Sequence, residues 1–327
     1  MISLGLDLRL RMCALILLCI VAIPCVAQVY PVKPMRFVVP FPPGGVGDIV
    51  ARPIAEKLTI ALGQTVVVES RAGASGTIGA EYVANAAPDG YTFLLGTSNE
   101  LAMSPSLFKR LPYDPIKSFA PVTPIVQFPN VLVVGPSVKA HSLKELIDFA
   151  RENPDKITFA SSGPGSTNHL TAEVFKTLTG VRVLHVPYKG GGPALTDVMG
   201  GHIDAMFATL PSAVAYIKAG KLRALAVTGE QRSIALPEVP TAIEAGVPGL
   251  IVTTWNGVVL PAGTPASIID TLQQEIRRAA NEPEVKQRYA AVGAEVLNQS
   301  PSEFAQMIAR DFERWSRVIR EAGVTLE

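Results

Sequence analysis

Short apolar, β-branched runs recur along the chain, each followed within a few residues by glycine, serine or threonine and then by an amphipathic stretch. Strands buried on both faces by covering helices produce this alternation, so the pattern predicts an α/β protein with mixed, mostly parallel sheets flanked by helices. The runs are Met35–Val39, Thr65–Glu69, Tyr91–Leu95, Val131–Val134, Ile157–Ala160, Val181–Val186, Ile203–Ala208, Leu222–Val227 and Ile251–Leu260. Helix starts are marked between them. Ser142 with Glu145 and Ser300 with Glu303 have capping-box spacing, and Pro265 and Pro301 suit a first helical turn. In the last predicted helix, Phe304, Met307, Ile308, Phe312, Trp315 and Ile319 recur at helical spacing, which assigns Trp315 to a buried stripe. Pro53 predicts a bend or a late start in the first helix.

The chain opens with Arg9 and Arg11, an apolar run from Met12 to Val26, and small side chains at Cys25 and Ala27. This is the pattern of a secretory signal peptide over residues 1–27, cleaved near Ala27, and the run is shorter than a membrane-spanning helix needs. Periplasmic export follows as the expectation. All three cysteines lie inside that segment, so the mature chain has no thiol for disulfides or metal. A formal net charge of +1 argues against a nucleic-acid partner. No cofactor is expected, and with no apolar stripe left over the default is a monomer.

A 327-residue chain is longer than one core ordinarily serves, so two domains are expected. Two extended, proline-containing stretches, Phe119–Val133 and Leu250–Pro261, are the candidates for segments that cross between them. On that reading residues 28–127 and 252–327 form a discontinuous first lobe, and residues 128–251 form the second.

Four strand-to-helix loops share one composition: Phe41–Asp48 (FPPGGVGD), Arg71–Gly79 (RAGASGTIG), Ser161–His169 (SSGPGSTNH) and Tyr188–Pro193 (YKGGGP). Glycine allows close backbone approach, hydroxyls add short donors, and a helix N-terminus carries partial positive charge. Such loops suit an anion, and in open α/β sheets ligands bind at the carboxyl ends of strands, where these loops fall. Singly, each is also ordinary turn punctuation. Two in each half of the chain argue for a cleft lined from both sides.

Gly73, Gly76 and Gly79 have GxxGxxG spacing with no following acidic residue for a ribose, and there is no GxxxxGK run, which argues against nucleotides. An exported serine hydrolase using Ser162 or Ser166 with His169 is the enzymatic alternative. It lacks the GxSxG elbow, and His169 follows Ser166 by only three residues. The four histidines show no HxxxH or HxH spacing for a metal.

The segments FVVPFPPGGVGD (37–48), VVVESRAGASGTIGAEYVANAAPDGYTFLLGT (66–97), ITFASSGPGSTNHL (157–170) and VPYKGGGPALTDVMGGHIDAMF (186–207), in this order, resemble the Bug or TctC family of periplasmic solute receptors of tripartite tricarboxylate transporters. The resemblance implies a two-lobed, flytrap-like periplasmic-binding-protein fold of type II. It also implies a small organic carboxylate held in the interlobe cleft by main-chain amides, hydroxyls and bridging waters, no catalysis, and delivery to membrane permease subunits. A signalling receptor that feeds a sensor in place of a permease remains an alternative. Carried over, the implied ligand contacts are Pro43, Gly44 and Gly45 with Asp48, then Ser75, Gly76 and Thr77, then Thr97 and Ser98. In the second half they are Ser162, Ser166 and Thr167, then Ala208 and Thr209, with Tyr188 and Lys189 on the wall. Phe41 and Trp255 bear on cleft shape, Trp255 either as hinge core or as an aromatic wall. The family often has asparagine and proline around Ser70 and Ala72 and glycine in place of Ser75, so this chain departs from it at that loop.

Overall fold

The structure, a computed structural model, describes residues 30–321 and Gly323; the expected signal peptide and its cleavage site lie outside the described residues. From Lys33 onward the chain alternates strands and helices as expected. In order they are β1 (Met35–Val39), α1 (Val46–Leu62), β2 (Val66–Ser70), a 3-10 turn (Ala74–Gly76), α2 (Thr77–Ala84), β3 (Thr92–Thr97), a π-helical turn (Asn99–Met103) and α3 (Ser104–Leu107). The long strand β4 (Phe119–Val134) leads into α4 (Leu143–Glu152), β5 (Thr158–Ser161), α5 (Thr167–Thr179), β6 (Leu184–Pro187), α6 (Gly191–Met199), β7 (Ala205–Thr209), α7 (Leu210–Lys218) and β8 (Arg223–Val227). The chain then returns through β9 (Thr253–Pro261), α8 (Ala266–Asn281), α9 (Pro283–Ala291), β10 (Glu295–Val296) and α10 (Pro301–Glu321).

The strand order is β2-β1-β3-β9-β4-β7-β5-β6, with β8 and β10 also on β4. β1 runs parallel to β2 and β3, and β5 runs parallel to β6 and β7, while every pairing made by β4 or β9 is antiparallel. β4 belongs to both halves. Its residues Phe119–Pro129 pair with β9, and from Asn130 to Val134 it pairs with β7 instead. The fold is thus a two-lobed mixed α/β architecture with one strand common to both sheets. Three prolines inside β4 would each remove a ladder donor; register shifts beside Pro121 and Pro124 absorb two of them, and the third, Pro129, stands where β4 changes partner. At the second of these, Gly257 of β9 lies so close that a Cβ would sit 2.4 Å from Phe304 and 2.8 Å from the Pro124 Cα, leaving room for glycine only.

Strand periodicity sets the cores. Leu132 and Val134 point to one face of the second sheet, among residues of α4 and α5, while Val131 and Val133 point to the other, among residues of α6 and α7. In the first half Phe304 and Ile308 of α10 pack with Leu94 and Val259, and Trp315 is buried beside Leu107 and Ile319 as its helical spacing predicts. Burying each such side chain stabilises the fold by about 1.5–3 kcal/mol. Two local expectations are corrected. Helix α1 starts at Val46 and runs through Pro53 without a late start, ending on Gly63 at φ 66°. The run Val181–Val186 forms a strand only from Leu184, with Val181 and Val183 buried ahead of it and Arg182 between them exposed.

Candidate functional site

A cavity of about 360 Å³ opens between the two sheet halves, a size usual for a small-molecule site. Its wall is assembled mainly from the carboxyl ends of strands. The turn after β1 gives Phe41–Gly47, the end of β3 gives Thr97 and the π-turn Asn99. From the other side come Ser162, Thr167 and Asn168 after β5, Gly190–Pro193 after β6, and Thr209 and Ser212 after β7. Four helices, α1, α5, α6 and α7, therefore present their N-termini to one space. Three of them begin without any side-chain cap: Gly45, Gly190 and Thr209 stand at the N-cap of α1, α6 and α7 and none donates a capping oxygen. Pro193 and Pro211 bring no amide to these turns, but Val46, Gly47, Gly191, Gly192, Leu210 and Ser212 do, and amides at uncapped helix starts favour an anion.

Among the described residues that line the cavity, none carries a formal charge. Polar side chains supply the rest: Thr97, Asn99, Ser162, Asn168, Thr254 and Asn256. Thr254 Oγ1 and Asn256 Oδ1 are buried and have no hydrogen-bond partner among the described residues. A polar atom in that position gains most from a ligand or a bridging water. The rest of the wall is apolar, formed by Phe128, the β4 neighbour of Thr254, with Leu195, Met206, Ala215 and Tyr216.

The two halves touch across the gap. The Ser75 hydroxyl donates to the Pro164 carbonyl at 2.8 Å, and the Thr167 amide, in the first turn of α5, donates to Asn99 Oδ1 at 3.2 Å.

Of the residues expected from sequence, Phe41, Pro43, Gly44, Gly45, Thr97, Ser162, Thr167 and Thr209 line this cavity. The others stand behind it, for reasons local to each. Asp48 folds back so that one oxygen accepts the Gly44 amide at 2.5 Å and the other pairs with Arg52 at 3.1 Å. Gly76 sits at φ 96° over the Glu100 side chain, and the Thr77 hydroxyl returns to the Ala74 carbonyl. Ser98 is fully buried, with its hydroxyl unpartnered. Ser166 is the N-cap of α5. Tyr188 donates to Asp197 at 2.5 Å, Lys189 is exposed, and Ala208 is buried among the residues that pack against α6 and α7.

Arg71 stays outside too, paired with Glu69 and stacked on Tyr82. Trp255 is core: its ring meets Phe304 edge-on at 5.2 Å and its indole N–H donates to Asp311 at 2.8 Å. Alternation along β9 then turns its neighbours Thr254 and Asn256 the opposite way, into the cavity. That alternation was the available signal for both residues, once the inward phase of Trp255 is known.

The serine–histidine alternative finds no nucleophile–base pair at its expected residues. Ser166 donates to the Gly163 carbonyl at 2.7 Å, and Ser162 donates to Asn168 Oδ1 at 2.5 Å. His169 Nδ1 accepts the Gly165 amide at 3.1 Å, which puts the ring proton on Nε2, 3.5 Å from Glu173. The nearest hydroxyl–imidazole contact, Ser161 with His185 at 2.6 Å, is outside the cavity, with Ser161 fully buried.

The profile of the Tripartite tricarboxylate transporter family receptor, TctC, matches residues 50–324. The chain belongs to this family. It is 40% identical over 308 residues to Protein BugT of Bordetella pertussis, covering 94% of each chain. Among solved structures, an R. palustris protein with adipate superposes with a TM-score of 0.88 at 37% identity, over 90% of this chain and 99% of that one. MatC from Rhodopseudomonas palustris with bound malate superposes with a TM-score of 0.84 at 34% identity, over 89% of this chain and 100% of that one. The family is one of periplasmic solute receptors, and among the described residues of this chain no helix is long and apolar enough to cross a membrane.

Proposed function

We propose that this chain is exported to the periplasm by its N-terminal signal peptide, captures a small organic dicarboxylate between its two lobes, and presents it to the membrane permease subunits of a tripartite tricarboxylate transporter. The observation that carries this reading is the convergence of four helix N-termini, three of them uncapped, on a cavity with no charged side chain. A carboxylate there receives charge-assisted hydrogen bonds from main-chain amides, stronger than neutral ones, without an arginine. The acids bound by the two R. palustris relatives, adipate and malate, support a ligand with two carboxylates. One would face the uncapped termini near Gly44, Gly45 and Thr209, the other the polar edge made by Thr97, Asn99 and Asn256. Ser162 and Thr167 complete the contact set. Asp48, Gly76, Thr77, Ser98, Ser166, Tyr188 and Ala208 brace these loops from behind, Ser75 links the two halves through the Pro164 carbonyl, and Lys189 stands exposed beside them.

The lobes of this reading are residues 28–127 with 252–327, and residues 128–251. The change of β4 partner between Pro129 and Asn130 supports a hinge within two residues of that boundary. The receptor acts as a monomer and performs no chemistry on its ligand.

Thermal melting tests it. A ligand that binds only the folded state stabilises by about 2.7 kcal/mol at a hundredfold excess over its dissociation constant, which for a chain of this size raises Tm by roughly 4 °C. Adipate and malate belong in the first panel, with succinate, citrate and benzoate. Absence of any shift across the panel at millimolar acid refutes the proposal.

A further inference from the structure

Among the described residues, Glu100 is the one carboxyl that lies fully buried immediately behind the cavity wall. Its Oε1 accepts the Thr97 amide, and its Oε2 takes the Thr97 hydroxyl at 2.6 Å. Thr97 itself lines the cavity. The hydroxyl oxygen also accepts the Asn99 amide at 3.2 Å, so two of its hydrogen-bonding directions are committed and one is left for the cavity. Above the carboxyl sits Gly76, where a Cβ would approach Glu100 Oε2 to 2.9 Å and the Phe41 ring to 3.3 Å, so the second glycine loop closes over it.

Among the described residues no cation pairs with this carboxyl, and burial pushes it up to about 8 despite the Thr97 bonds. Strand β3, helix α3 and the 3-10 turn, all packed against this segment, carry no titratable side chain. Helix α10 brings Asp311, turned to the Trp255 indole, and Arg314, bonded to the Ile251 carbonyl; its other charged side chains are exposed. Tyr113 donates to the Glu100 carbonyl at 2.7 Å and is itself held neutral by burial and by Glu100.

The consequence follows from proton counting at one hydroxyl. With Glu100 ionised, the only proton on Thr97 Oγ1 is held by the carboxylate, and a lone pair faces the cavity. A ligand carboxylate meets that lone pair as repulsion. With Glu100 protonated on Oε2, the acid donates to Thr97 Oγ1 and the threonine proton turns toward the cavity as a donor.

We infer that Glu100 sets the donor polarity of Thr97, so that a carboxylate ligand selects the form of the protein in which Glu100 carries a proton. Glu100 is on this account a positioning residue that makes ligand uptake and proton uptake one event. The inference rests on the receptor reading above. A purely structural role is the competing explanation, because Thr97-Ser98-Asn99-Glu100 has capping-box spacing. Glu100→Gln separates the two. Glutamine serves equally in a capping box, and its amide donates permanently to Thr97 Oγ1, as the protonated acid does.

The experiment is calorimetric titration of adipate and of malate into the wild type and Glu100→Gln at about pH 6.5 and about pH 9, a range in which both acids stay ionised. For the wild type the apparent Kd should weaken roughly tenfold at the higher pH, since only about a tenth of the protein then carries the proton. Glu100→Gln should bind with the low-pH affinity at both values. Near pH 8, two buffers of different ionisation enthalpy should reveal uptake of about half a proton per ligand by the wild type and none by the variant. The buffer comparison uses unaltered protein, so it decides the question even if the variant folds poorly. Equal pH slopes in both proteins, or wild-type binding without proton uptake, overturn the inference and leave the receptor standing. If neither acid binds either protein at either pH, the receptor reading fails and this inference falls with it.

Discussion

Gly192 is the position at which stability and ligand affinity should move in opposite directions. It is the second residue of α6, it lines the cavity, and nothing lies within 4 Å of where a Cβ would stand. Gly192→Asp therefore introduces no clash. It replaces the residue most costly to order in a helix and adds a carboxylate in the first turn, where the helix dipole favours it by about 0.3–1 kcal/mol. The folded protein should be equally or slightly more stable. For a bound anion the sign reverses. A sphere with the 360 Å³ of the cavity has a radius of about 4.4 Å, so a ligand carboxylate lies roughly 4–9 Å from the new charge. At an effective dielectric constant of about 20 the repulsion is about 2–4 kcal/mol, a loss of affinity between roughly thirtyfold and several-hundredfold. Gly192→Asn is the uncharged control of nearly the same shape and should retain most of the binding. The assay is a pair of measurements on each variant, urea denaturation for stability and calorimetry with adipate or malate for affinity. An aspartate variant that binds within twofold of the wild type would refute the claim that the α6 terminus faces the ligand anion.

Two further outcomes test the loops and the pH dependence of the fold. Gly76→Ala should lower stability by upwards of about 1 kcal/mol in urea melts, because φ 96° disfavours any side chain and the new methyl would meet Glu100 and Phe41. His185 is held down to about 4, first by burial and then by His169, with which it stacks at 3.9 Å between ring centroids. A base whose folded value lies below its unfolded value contributes full stability above about pH 6.5 and loses it as the pH falls toward 4. Melts between pH 7 and 4 should show that loss, on the order of 2 kcal/mol, and His185→Gln should reduce it.

The sheet order could not be read from the strands alone, but the crossing role of β4 could. Phe119–Val133 is extended and contains prolines, which marked it as a candidate crossing segment, and in the structure two of those prolines, Pro121 and Pro124, sit beside register shifts. The cavity-facing turns were legible for a related reason: glycine and hydroxyl residues directly after a strand announce where amides lie open. What composition could not tell was where each hydroxyl or carboxylate is spent. Asp48, Thr77 and Ser166 all belong to the right loops, yet each satisfies a backbone group of its own turn, the local competition to which short polar side chains are prone.

Residues contributed by strand faces were hidden more deeply. Thr254 and Asn256 reach the cavity because Trp255 goes inward to Phe304 and Asp311, and the phase of that alternation is decided by α10, some fifty residues further along the chain. Asn99 is a subtler instance. It follows the two residues expected to touch the ligand, but its position in a π-helical turn aims its Oδ1 at the Thr167 amide across the gap. Both lobes therefore meet through groups that also define the cavity wall, and a change in one turn is felt by its counterpart. On the receptor reading proposed above, this coupling is what would let an uncharged cavity suffice. Each helix terminus is weak alone, and on that reading the termini become one anion site only when closure sets α1 against α5, α6 and α7. A fixed arginine would attract the acid to either lobe separately. Divided dipoles would make tight binding and closure the same event.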